Sequence, residues 1–186
     1  MVKTYKINAQ SHLFFIKKLL IGATVFWLVY TFYIRYHPDE DWIIARVMIG
    51  GYLIMALIPC AIVHTEYFMY NRDLTLVIDK FNKVMTISYG DSTHRINFAE
   101  IKRVQVSMTA NPYNGQTWTL LPQELYQYAT IMTENGERFI ITRLLINDLI
   151  PFFRDLGLFV TKKRVFFPFI WEDRYEKIDE VKHDIG

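Results

Sequence analysis

One cysteine in 186 residues, Cys60, leaves nothing for an intramolecular disulfide to pair with and excludes a cysteine-rich zinc site. It stands in an apolar run beside Pro59 and Ala61, the setting of a small packing residue rather than a reactive thiol. Bulk charge is also missing. A net charge of +2 gives no electrostatic footprint for a nucleic-acid polymer, which is excluded as a partner on that ground. The short motifs of common chemistry are absent: no HExxH, no GxSxG, no P-loop and no GxGxxG. The five histidines, His12, His37, His64, His94 and His183, have no metal-ligand spacing. No cofactor, metal or catalytic residue is expected, and the chain is not read as an enzyme. His64 and Glu66, two apart, are read as an interfacial polar pair.

Charge is also unevenly distributed. Between Leu19 and Val63 it is confined to Arg35, Asp39, Glu40, Asp41 and Arg46, whereas from Asn71 onward it recurs every few positions. The mean hydropathy of +0.10 therefore describes neither half. The run Trp42 to Val63 reaches the ~20 residues a membrane span requires. Its Leu, Ile and Val residues each favour insertion by ~0.3–0.6 kcal/mol, against at most ~3.5 kcal/mol for Arg46 near the end. The first run, LLIGATVFWLVYTFYI, is extended through the interface by His12 to Phe15 and the stems of Lys17 and Lys18. Neither run carries a polar stripe, and the rest of the chain is too short to bury two helices that are apolar all round. The expectation is a transmembrane hairpin over residues 1–70, with spans of about 13–36 and 42–64. YHPDED forms its tip, Pro38 ends the first helix, and Asp41 caps the second. Ala56 and Cys60 form a small-xxx-small pair that packs the two spans. Lys3, Lys6, Lys17 and Lys18 before the first span, and Arg72, Lys80 and Lys83 after the second, place both termini in the cytoplasm.

From Leu74 the period becomes two. LTLVID and VMTISYG read as a hairpin, GDST leads into HRINF, and AEIKRVQVSMT gives a strand with Ile101, Val104 and Val106 inward. ANPYNGQTW is a loop and WTLL a short edge strand ending at Pro122. YQYATIMTENGERFIIT is a second hairpin, with Asn135-Gly136 suited to a type I′ turn. In NDLIPFFRDLG, Leu149, Phe152, Phe153 and Leu156 share a helical face, with Asn147 as N-cap and Gly157 as terminator. LFVTKKRVFFPFIW is extended, and residues 172–186 form a charged tail. The fold class is thus an α+β membrane protein, a helical hairpin followed by a mainly antiparallel β domain over residues 71–171. The run from LTLVID through HRINFAEIKRVQV, with the second hairpin and NDLIPFFRDLG, resembles the bacterial pleckstrin-homology-like (PH-like) domain over about residues 70–157. That resemblance implies a β-barrel closed by one amphipathic helix. It implies a scaffold for protein contact, self-association or membrane association, and no catalytic residues. Lys80 and Lys83 stand at the first hairpin without the Lys/Arg-x-Arg pattern of phosphoinositide-binding relatives, so that recognition is not carried over.

Two segments are candidate sites. Lys162, Lys163 and Arg164, followed by Phe167 and Trp171, combine positive charge and aromatics in the way a membrane surface binds them. Asn111, Tyr113, Asn114, Gln116 and Trp118 offer amides and rings able to hold a base. The first would orient a membrane-anchored PH-like adaptor, the reading that the closing helix Asp148–Leu156 favours, whose partners are lipids and another protein or a second copy. The second supports the alternative, a two-span effector whose barrel senses a small ligand such as a cyclic nucleotide.

Overall fold

The computed structural model describes residues 2–36, 42–116 and 121–170. YHPDED beyond Tyr36, the run from Thr117 to Leu120 that holds most of WTLL, Trp171 and the tail lie outside the described residues.

Strand β1 (Val2–Tyr5) precedes a 28-residue helix, α1 (Ala9–Tyr36). Asn8 caps that helix, its Oδ1 accepting from the Ser11 amide at 2.9 Å. The return path is continuous helix: α2 (Trp42–Tyr52), a π-helical turn (Leu53–Leu57) and α3 (Ile58–Asn71). At 1.5 Å per residue each arm is about 40–45 Å long. The segments Ala9–Tyr36 and Ile49–Asn71 are each long and apolar enough to cross a membrane. Most of their apolar surface meets no protein: Leu20 is 60% and Phe32 65% exposed.

Two four-stranded sheets follow. The first orders β1, β2 (Leu74–Asp79), β3 (Val84–Tyr89) and β4 (Ser92–Asn97), all antiparallel. The second orders β7 (Arg138–Thr142), β6 (Tyr128–Thr133), β5 (Ile101–Met108) and β8 (Val160–Arg164), with β8 parallel to β5. An Asn97/Glu100 capping box turns the chain between the sheets. A short helix, α4 (Ala110–Tyr113), follows β5, and α5 (Leu149–Asp155) precedes β8.

Several expectations need correction. The sheets do not close into a barrel; each keeps its own edge strands, and α5 does not end the fold, because β8 follows it. Asp148, not Asn147, precedes α5, and the Asn147 carbonyl instead accepts from Arg143 Nε at 2.7 Å. Gly136 alone takes positive φ (+83°) in the β6–β7 loop, so the turn is not type I′, which requires it at both central residues. Instead, Gly136 N–H closes a turn on the Thr133 carbonyl and Thr133 N–H bonds to Glu137, the longer bulged form of the hairpin. ANPY is helical rather than open loop. As anticipated, β2–β3 pair as a hairpin, Val104 and Val106 are buried, and Leu149 and Phe153 face inward from α5. Gly157, at φ +75°, lets Leu158 N–H reach back to the Phe153 carbonyl and end α5. Residues 2–5, which carry no strong strand pattern, form the edge of the first sheet.

The second sheet buries both faces. In β6 and β7 successive residues alternate. Ala129, Ile131 and Ile141 enter an aliphatic core shared with the first sheet and α5. Tyr128 and Ile140 enter a second core shared with α1 and α3. The layers therefore run first sheet, aliphatic core, second sheet, aromatic core, helices.

Candidate functional site

The joint between hairpin and sheets is built by one face of α3. Cys60, Val63, Tyr67 and Asn71 are spaced three, four and four apart, which is one helical stripe, and all four are buried. Each polar member has a named partner. Asn71 acts as a surrogate strand: its Oδ1 accepts from the Thr142 amide at 2.9 Å and its Nδ2 donates to the Ile140 carbonyl at 3.4 Å. Tyr67 Oη donates to the Pro168 carbonyl at 2.9 Å. Its ring meets those of Tyr126 and Tyr128 edge-on. These bonds keep buried polar groups paired, the condition for burying them at all.

Higher along the hairpin, Gln123 Nε2 donates to the Met55 carbonyl at 2.8 Å. Met55 lies in the π-helical turn, where the register shift leaves carbonyls free of their usual partners. The domain thus grips the second arm from Met55 to Asn71. On α1, Phe15 is buried and stacks on Tyr126 at 4.3 Å. His12 Nδ1 lies 3.0 Å from His64 Nε2, and His64 Nδ1 lies 2.9 Å from Tyr126 Oη, which reaches Cys60 Sγ at 3.7 Å. Burial pushes the Tyr126 hydroxyl well above the usual phenol range, so it serves as a neutral link. His64 therefore pairs with His12 and Tyr126; Glu66, expected beside it, turns to the opposite side of α3. There it lines an open groove of about 840 Å³ with Ile62, Met69, Tyr70 and Tyr89. Ala56 and Cys60 are both buried, and Cys60 packs in the cluster that contains Phe15.

Strand alternation divides the basic run. Lys162 and Arg164 pair with Val106 and Met108 and share their face, but β8 is an edge strand and both are exposed. Lys163 pairs with Ser107, on the face turned to the helices, and is half-buried. Phe166 is 89% exposed, Phe167 is half-buried and touches it at 4.9 Å, and Trp171 is outside the described residues. The amide loop lies against this strand. Lys162 Nζ donates to the Tyr113 carbonyl at 3.4 Å and stands over its ring at 6.0 Å. Asn111 Nδ2 donates to Glu124 at 2.7 Å. Asn114 and Gln116 are exposed, and Trp118 is outside the described residues. The Asn111 amide is thus bonded within the protein, while the Tyr113 ring stays exposed. The two candidate segments form one surface at the end of the second sheet nearest the helices, since β5 runs from there into α4 and the turn that carries Gln123.

Sequence reasoning missed the joint. Its signal, a stripe with Tyr67 and Asn71 at heptad-like spacing, is diluted by apolar neighbours on every side. Among the described residues no group of three or more His, Cys, Asp or Glu side chains is arranged to hold a metal ion. A family model described as PH domain matches residues 4–151, from within β1 to the start of α5, taking in the hairpin and strands β2 to β7. No curated protein matches the chain.

Proposed function

The chain belongs to the PH-domain family, whose members are protein- or lipid-interaction modules, and from that membership we propose that it is a membrane-anchored adaptor held by a two-helix hairpin. The observation that carries the reading is topological. β1 precedes the hairpin and β2 follows it, yet Val2–Tyr5 pairs residue for residue with Leu76–Asp79. Both ends of the hairpin must therefore leave a bilayer on the same side. Each arm exceeds the ~30 Å of a hydrocarbon core by roughly a third to a half. At the domain end His12, Phe15 and the Cys60–Asn71 stripe meet the sheets, and Gln123 reaches Met55 inside the expected second span, so the domain is set against the near leaflet. The remaining apolar surface of the arms faces no protein, as lipid contact requires. The lysines before α1 favour a cytoplasmic domain, with spans of about 13–36 and 42–64.

Lys163 then faces the emerging helices, with Arg164, Phe166 and Phe167 on the chain just beyond it, where an anionic leaflet contributes about 1 kcal/mol per basic side chain that reaches it. In this reading they dock the second sheet on the headgroups and leave the first sheet free for a protein partner or a second copy. Cysteine labelling in a Cys60→Ser background tests both parts. In intact cells Pro38→Cys should label from outside, while Ser11→Cys and Asp91→Cys should label only after lysis; equal labelling at all three positions overturns the anchor. In nanodiscs, Phe166→Cys should label several-fold more slowly with anionic than with zwitterionic lipid, and salt should remove the difference. Lipid-independent labelling overturns the docking face.

A further inference from the structure

We propose that the chain His12–His64–Tyr126 is a proton-sensitive latch that holds the sheets to the hairpin with one proton and releases them with two. It spans three elements: His12 on α1, His64 on α3 and Tyr126 in the segment before β6. Residues 12 and 64 are brought together only by hairpin pairing, and Tyr126 only by docking of the domain. The bond network is thus a direct measure of the docked state.

The hydrogen count decides the behaviour. A bond at 3.0 Å between two imidazole nitrogens requires one donor and one acceptor. With both rings neutral the chain runs either way. Tyr126 donates to His64 Nδ1 and His64 Nε2 donates to His12, or His12 Nδ1 donates to His64 Nε2 and His64 Nδ1 donates to Tyr126. In the second direction Tyr126 passes its own hydrogen toward Cys60 Sγ at 3.7 Å. One added proton, on His12, selects the second direction and keeps every bond. A second proton puts N–H groups on both facing nitrogens: two donors and two positive charges 3.0 Å apart, with no acceptor between them.

The surroundings leave little room for relaxation. Phe15 stacks on Tyr126 and faces His64 at 6.0 Å, and Phe68 meets His12 at 5.3 Å. Among the described residues, the titratable groups facing the pair are Tyr126 from the domain and Cys60 on α3. Glu66 turns away into the groove with Tyr70 and Tyr89, Tyr67 is committed to Pro168, and Glu124, in the turn before Tyr126, accepts from Asn111. Repulsion is relieved by separating α1 from α3, which withdraws the floor on which Tyr126 rests. Histidine is the side chain whose charge changes on mild acidification, so lowering the pH is what supplies the second proton.

The test uses the full chain in nanodiscs and follows backbone hydrogen exchange at about pH 7.5 and about pH 5, corrected for chemical rates. The amides of Gln123–Tyr128 should exchange about tenfold faster at the lower pH, while those of β5 and α5 stay protected. His12→Gln keeps a donor and an acceptor but takes no proton, so its junction should remain closed at both pH values. Unchanged exchange in the native chain, or the same acid response in His12→Gln, overturns the latch. Should His12→Gln already be open at about pH 7.5, the native imidazoles decide by NMR. Two separated titration steps shared by both rings support the latch; two independent, ordinary histidine titrations overturn it.

Discussion

The two buried clusters on either side of the second sheet are made of different material. The one shared by both sheets and α5 is built from Leu, Ile, Val, Met and Phe, with β2 contributing Leu74, Leu76 and Ile78, and β5 contributing Val104, Val106 and Met108. The one shared with the helices is built around Phe15, Tyr67, Tyr126 and Tyr128, and polar groups run through it from His12 to Asn71. Aliphatic packing is non-directional and tolerates small shifts, so it serves a domain that must simply remain folded. Hydrogen-bonded aromatics fit in one orientation only, because a displaced donor is left unpaired in a dry interior. That is the property a joint needs when its purpose is to fix how a domain sits on its anchor. The comparison also accounts for the Arg143 guanidinium at the margin of the second cluster. Burial lowers its pKa against the opposing pull of Asp148, and it is retained because it donates to the Asn147 and Leu125 carbonyls, both at 2.7 Å.

If the aliphatic cluster carries the fold, the largest loss comes from emptying it. Phe153 is fully buried and lies in contact with Phe152 at 5.0 Å. Phe153→Ala should cost ~3–5 kcal/mol, read as a lowered midpoint of thermal unfolding followed by loss of the β signal in circular dichroism. A cost near zero would mean that α5 is dispensable and would break the distinction between the clusters. The next effect is at Asn71. Asn71→Ala strands the Thr142 amide and the Ile140 carbonyl in a dry site, a penalty of about 2 kcal/mol. Its signature should be local: faster exchange along β7 and at Gln123–Tyr128, with β2 and β5 unchanged. A global loss equal to that of Phe153→Ala would make the two clusters one cooperative unit.

The contrast between clusters also explains what was legible in the sequence. The aliphatic side announces itself by period: LTLVID, VMTISY and the Leu149/Phe153 face each write their burial into consecutive residues. Closure does not, because whether two sheets join at their edges depends on twist and pairing that no short window encodes, and the expected barrel was lost there. β8 follows α5 for the same reason: its pairing with β5 spans more than fifty intervening residues. On the aromatic side, His12 and His64 are meaningful only once the hairpin has folded. The α3 stripe also disappears within a run that is apolar on all faces. The basic run was visible as composition, but only the strand reveals that Lys163 faces the helices while Lys162 and Arg164 point away from them.

The smallest effect should come from a position outside both clusters, which makes it the control for the other two. Lys83 closes the β2–β3 hairpin with φ at +53°, the only non-glycine residue with positive φ among those described, and its side chain is exposed. The turn is already held by Asp79, whose carboxylate accepts from the Phe81 and Asn82 amides and from the Asn82 side chain at 2.6 Å. Those bonds, the Asn82 side chain first, hold the Asp79 carboxyl below its usual pKa, so its contribution is present near neutrality and fades as pH falls through the folded value. With the turn fixed, Lys83→Gly changes two opposing terms. It removes a left-handed strain of ~1–2 kcal/mol and adds ~0.5–1 kcal/mol of unfolded-state entropy. The Lys83 carbonyl keeps its bond from the Phe98 amide at 2.9 Å in either case. The net is a stabilisation of roughly 0.5 kcal/mol, a small rise in the unfolding midpoint near neutral pH. A loss comparable to Asn71→Ala would show that the hairpin tip is coupled to the cores, and effects at the two clusters would then have to be reread as effects on the whole sheet.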